Sequence, residues 1–117
     1  MLIIRKKQIE ILSQFMLKKF KDRMMTHLRR NFPDQTQNIK NTPLQTMIQT
    51  GIDKAAVYGV NTEDDVRRYL EYMVMYSPNF DANSETPWGR DILEDKNLNG
   101  TEKMNRIDNV TLFSMME

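Results

Sequence analysis

The sequence has no cysteine, so it can form neither a disulfide nor a zinc-thiolate site and offers no thiolate nucleophile. Its single histidine is His27, and no serine lies in a recognisable nucleophile motif, so acyl transfer lacks its usual components. Nowhere do some eighteen apolar residues, about the number that crosses a bilayer, run together. The opening "MLIIRKKQIE" has too short an apolar run for a signal peptide and no small-residue cleavage pattern. These absences exclude thiol redox chemistry and predict a cytoplasmic, non-enzymatic protein with no membrane association, no cofactor and no bound metal.

What is present fits one domain. A chain of 117 residues can bury a sizeable core without staples, so residues 1–117 are expected to form a single domain with its core over about 5–108. The near-neutral net charge hides a division. Residues 1–32 carry nine Lys or Arg against Glu10 and Asp22, a net of +7, which leaves −6 on residues 33–117. Such asymmetry suits a basic arm for an acidic partner, or two segments that pack together through complementary surfaces.

Periodicity predicts an all-α protein: one long N-terminal helix, two medium helices and one or two short C-terminal ones. Ile9, Leu12, Met16, Phe20, Met24 and Leu28 recur at spacings of three and four, the stripe of an amphipathic helix from about residue 5 to Arg30. Phe32-Pro33 ends it, because the residue before proline avoids helical angles. After the loop "DQTQNIKN", Thr42-Pro43 and Gln45 predict a capped helix start at Pro43. That helix stops at Tyr58, with Gly59 as its left-handed cap. Thr62 caps the next one, and Glu63-Asp64-Asp65 occupies its positive end. Pro78 closes that segment. Thr86-Pro87 opens a short helix, and a last short one starts at Thr101. The tail "VTLFSMME" stays open between frayed, docked and contributed to a partner.

The basic stretch "KKFKDRMMTHLRR" has two faces on a helical wheel. Lys7, Ile11, Lys18, Met25 and Arg29 lie opposite the apolar stripe and form a mixed apolar and cationic surface suited to a protein partner. Leu112 and Phe113 of the tail are further candidates for that role. Arg23 and His27 fall inside the stripe, one turn apart. A polar pair there needs partners, and an aspartate or a backbone carbonyl of the later acidic segment is the natural one. Methionines at helical spacing, Met16, Met24, Met47 and Met73, read as core.

Two competing chemistries are weak. In a helix-turn-helix the start of the second helix approaches phosphate, and here that start would be Glu63, Asp64 and Asp65. The stretch "DKNLNGTEKMNR" begins like a calcium loop with Asp95, Asn97, Asn99 and Gly100, but Lys103 and Arg106 stand where oxygen ligands are required.

The succession "FKDRMMTHLRRNFP", "GIDKAAVYGVNTEDDVRRYLEYM", "FDANSETPWGRDILED" and "KMNRID" resembles a family of small bacterial helical proteins encoded near type VI secretion spike and effector genes. The matching positions are Arg23, His27, Leu28, Phe32 and Pro33; Gly51, Ala55, Tyr58, Gly59 and Val66; and Phe80, Asp81, Pro87, Trp88 and Ile92. Ser77-Pro78 departs from the glycine-containing turn expected there. The resemblance implies a secretion accessory role: an adaptor or chaperone for an effector, or an immunity protein that neutralises a toxin. A basic nucleic-acid-binding regulator is the third reading. The partner is expected to be another protein, an effector or a spike component; the oligomeric state is open.

Overall fold

The computed structural model describes residues 13–116, with side chains described over 14–112. Lys7, Ile11 and the Phe113 side chain lie outside the described residues. Six helices make up the described chain: α1 (Ser13–Asn31), α2 (Pro33–Thr36), α3 (Asn41–Val57), α4 (Glu63–Met75), α5 (Pro87–Leu93) and α6 (Gly100–Met116). There is no strand among them, so the all-α expectation holds.

Helix α4 is the central element. It packs against α3, α1 and α2 on one side and against α6 on the other, and α5 in turn packs on α6. Its stripe of Val66, Tyr69, Leu70 and Met73 is buried, as period-3.6 patterning requires. Around it close Phe20, Met24 and Leu28 from α1, Leu44, Ile48 and Ala55 from α3, Phe80 from the loop before α5, Leu93 from α5, and Met104 and Ile107 from α6.

Several boundaries follow the local signals. Gly59 adopts φ 80°, the left-handed conformation that only glycine takes without strain, and it ends α3 after Tyr58. Thr62 caps α4 by accepting a hydrogen bond from the Asp65 amide at 3.3 Å. Pro87 is the first residue of α5.

Other starts are set by tertiary contacts. Helix α3 begins two residues before Pro43, and Lys40 rather than Thr42 stands at its cap with no side-chain bond. Pro43 is still tolerated because a first-turn N–H has no helical partner to lose. The cause lies in Arg29. Its guanidinium donates to the carbonyls of Thr36 at 2.9 Å and Ile39 at 2.8 Å, and to Asn41 Oδ1 at 2.8 Å. That clamp folds the polar stretch after Pro33 into α2 and fixes where α3 starts. Arg29, expected on the outward face, is therefore an internal tie.

The last helix is not short. Asn99 Oδ1 accepts from the Glu102 amide at 2.8 Å, while Glu102 Oε1 accepts from the Asn99 amide at 2.9 Å. This reciprocal capping box starts α6 at Gly100 rather than Thr101. From there the helix runs 17 residues and takes in most of the tail. Thr86 also differs from expectation: its hydroxyl donates to the Phe80 carbonyl at 2.9 Å and makes no cap.

Gly51, Gly89 and Gly100 mark close approaches, and the first and last differ in what they meet. A Cβ on Gly51 of α3 would collide with Leu70 and Met73 of α4, and one on Gly100 would strike the backbone at Gly59 and Val60. Side-chain ends can shift, but backbone cannot without moving a whole element. Gly51→Ala should therefore cost about 1–3 kcal/mol, the usual penalty of overpacking, and Gly100→Ala should cost more than Gly51→Ala. Urea unfolding of the two variants checks the order.

Candidate functional site

The chemistry-bearing side chains gather in three places, all around α4. On the α1 side, Arg23 pairs with Glu63 at 3.1 Å and His27 Nε2 meets Glu71 Oε2 at 2.6 Å. Glu71 also accepts from Arg67 at 3.0 Å, and Arg67 reaches Asp64 at 2.7 Å. The other ring nitrogen of His27 lies 3.2 Å from the Asn31 amide nitrogen. His27 thus has a carboxylate on one side and an amide on the other, and among the described residues no hydroxyl joins them. The acidic segment supplies the partners of Arg23 and His27, through two glutamates rather than an aspartate or a carbonyl.

On the α6 side, Arg68 is the organising group. It donates to Asp65 at 2.6 Å within α4, and across to Asp108 at 2.7 Å and Asn105 at 2.9 Å in α6. Tyr72 adds a hydroxyl bond to the same Asp108. Thr101 donates to the other oxygen of Asp65. Burial pushes the Asp65 carboxyl up, but hydrogen bonds from Thr101, Arg68 and Thr62 outweigh it and hold the group below its ordinary range. Its contribution to stability is present above the ordinary value of 3.8 and is lost as pH falls through the lower folded value.

The third cluster lies under the loop between α4 and α5. Tyr58 donates to Asp81 at 2.7 Å, and Lys54 reaches the other Asp81 oxygen at 3.3 Å. Tyr69 packs between Tyr58 and Phe80, with ring centroids 6.4 and 4.9 Å away. Burial, then the Asp81 carboxylate, pushes the Tyr58 phenol up to about 12. Burial pushes Tyr69 and Tyr72 up as well. Trp88 meets Tyr76 edge-on at 5.3 Å and anchors α5 to this aromatic group, as its large apolar area predicts.

Asp95 and Asn99 are also committed locally. Asp95 accepts from the Asn97 amide at 2.9 Å, Asn99 caps α6, and Lys103 reaches the Tyr58 carbonyl at 2.8 Å. Among the described residues no group of three or more His, Asp or Glu is arranged to hold a metal ion. None of the described helices is long and apolar enough to cross a membrane.

The remaining surface of interest is the exposed end of α1. Phe15 is 67% exposed and Met16 49%. Met16 belongs by spacing to the stripe that buries Phe20, Met24 and Leu28, so its expected place in the core is corrected: the body stops covering α1 before this turn. Lys19 sits over the Phe15 ring at 5.1 Å, and the Arg23 guanidinium lies over Phe20 at 5.5 Å. Met16, Lys19, Asp22 and Arg23 line a groove of about 450 Å³.

The outward face drawn from the helical wheel is only partly there. Lys18 is exposed and pairs with Asp22 at 3.4 Å, and Leu112 is exposed on α6. Met25 is half-buried against the core, so it is corrected along with Arg29. The wheel passed over Phe15 and Lys19. Their signal was the lack of acidic residues in the first turn of α1 together with adjacent apolar residues, Phe15 and Met16, which widen the stripe beyond what the core covers.

Comparison with family models, with curated proteins and with solved structures returns no match.

Two outcomes follow from the buried polar clusters. Arg68 has a side chain only 14% exposed and ties α4 to α6. Arg68→Ala leaves the Asp65 carboxylate without its opposite charge in a buried setting and should cost about 3–5 kcal/mol, whereas His27→Ala, which leaves Glu71 still paired with Arg67, should cost about 1 kcal/mol. Thermal and urea unfolding of both variants tests this. The phenols give a pH signature with a definite sign. The folded state holds the Tyr58 proton more tightly than the unfolded chain, so this stabilisation is complete below about 10 and is lost as pH rises through about 12. The part of the tyrosinate absorbance that a Tyr58→Phe variant lacks should therefore rise together with the loss of helical circular dichroism in that range.

Proposed function

We propose that the chain is a non-enzymatic protein-binding module acting as an adaptor or chaperone for a type VI secretion effector. The observation that carries the binding part is the end of α1. There an amphipathic helix leaves the body with Phe15 and Met16 exposed among cations. Adjacent exposed large apolar side chains beside a groove are a common mark of an interface. The three polar clusters around α4 support the same reading, since their charged side chains hold helices to one another. The secretion part is supported by the sequence resemblance described above, carried on residues such as Phe32-Pro33, Tyr58-Gly59 and Pro87-Trp88.

Co-expression with a candidate type VI effector tests the proposal. The adaptor reading expects more soluble effector and more of it loaded on the spike. Restored viability of cells expressing an active toxin, with no gain in soluble effector, would assign the chain to toxin neutralisation instead.

A further inference from the structure

We propose that the exposed end of α1 docks an acidic amphipathic helix of a partner protein. Phe15 and Met16 supply the apolar contact, and Lys19 and Arg23 receive the partner's carboxylates. The inference rests on the protein-binding reading above and names the chemistry of the partner.

The charge distribution selects the occupant. Helix α1 carries Lys18, Lys19, Lys21, Arg23, Arg29 and Arg30 against Asp22 alone. Lys19 and Arg23 are one turn apart and line the same groove as Met16. Cations at that spacing meet carboxylates one turn apart on an opposing helix, while the apolar stripe of that helix covers Phe15 and Met16. Glu63 already shows the contact in miniature: its carboxylate reaches Arg23 at 3.1 Å. Both side chains of that pair are about half exposed, at 58% and 48%. Pairs this wet contribute little, so a partner carboxylate can replace Glu63 at small cost.

Other occupants fit less well. Two copies meeting through this same face would set like charges against each other. Nucleic acid would leave Phe15 and Met16 facing a strongly hydrated backbone.

The test uses the full chain and two labelled synthetic helices with identical leucine stripes, one flanked by glutamates and one by lysines. Fluorescence anisotropy should show the glutamate peptide binding at least about tenfold more tightly than the lysine peptide. Added salt should weaken that binding. Phe15→Asp and Lys19→Glu should each lower it by about tenfold or more while the melting temperature stays unchanged, because both side chains are exposed. Equal binding of the two peptides, or binding indifferent to both substitutions, would overturn the proposal. So would stronger binding to duplex DNA or anionic lipid vesicles than to the glutamate peptide, or self-association abolished by Phe15→Asp. The two readings fail separately. A doubly substituted chain that loses the peptide but still keeps an effector soluble disproves this face and leaves the adaptor role. A chain that binds the peptide but leaves the co-expressed effector insoluble does the reverse.

Discussion

Helix α4 must be enclosed by its neighbours although six of its thirteen residues are charged. A buried charge without a partner costs several kcal/mol, so the helix can be central only if every inward charge finds an opposite one. The sequence meets that demand by geometry. Glu63, Arg67 and Glu71 recur every four residues along the edge that faces α1, while Asp65, Arg68 and Tyr72 form the edge that faces α6. Between the two edges runs the apolar stripe of Val66, Tyr69, Leu70 and Met73. Apolar burial supplies the drive for packing, and the two polar edges fix which neighbour lies on which side.

The same arrangement explains the uneven charge along the chain. Opposite charges on the first third and the remainder read either as an internal match or as a handle for something else, and part of the internal match is present in the fold. Arg23 and His27 of α1 turn toward the glutamates of α4. Arg29 turns toward backbone carbonyls and builds the connection to α3. One turn earlier the pattern changes. Lys18 finds a carboxylate in Asp22 of its own helix, and Lys19 lies over an exposed Phe15. The internal match ends where the core ends, at Phe20.

Much of this was legible in the sequence. Elements whose signals are local, such as the Thr62 cap, the Gly59 turn and the Pro87 start, lie where the residues indicate. The differences at helix starts come from bonds made outside the local stretch. Thr42 and Thr101 are good caps in isolation, yet Arg29 fixes the start of α3, and Thr101 is drawn to Asp65 while Asn99 and Glu102 cap α6 together. Thr86 gives its hydroxyl to Phe80. At the candidate site, the wheel put Met16 inside and Met25 and Arg29 outside, because a wheel records direction around the axis but not how far along it the body extends. Only the fold shows that coverage stops within α1, and that limit is what exposes Phe15.

A helix that is half covered and half bare has a mechanical consequence. An isolated helical turn is costly to nucleate, so a free segment as short as the end of α1 would scarcely hold its shape in water. Here the turn carrying Phe15, Met16 and Lys19 extends a helix already fixed by Phe20, Met24 and Leu28 in the core, and elongation needs no new nucleus. A partner meeting this surface then spends little on ordering it, which is where preorganised surfaces gain affinity over flexible ones. The packing of α4 and the bare end of α1 are therefore linked: the buried Phe20, Met24 and Leu28 and the His27–Glu71 contact that hold α1 against α4 also hold its exposed turn in a fixed direction.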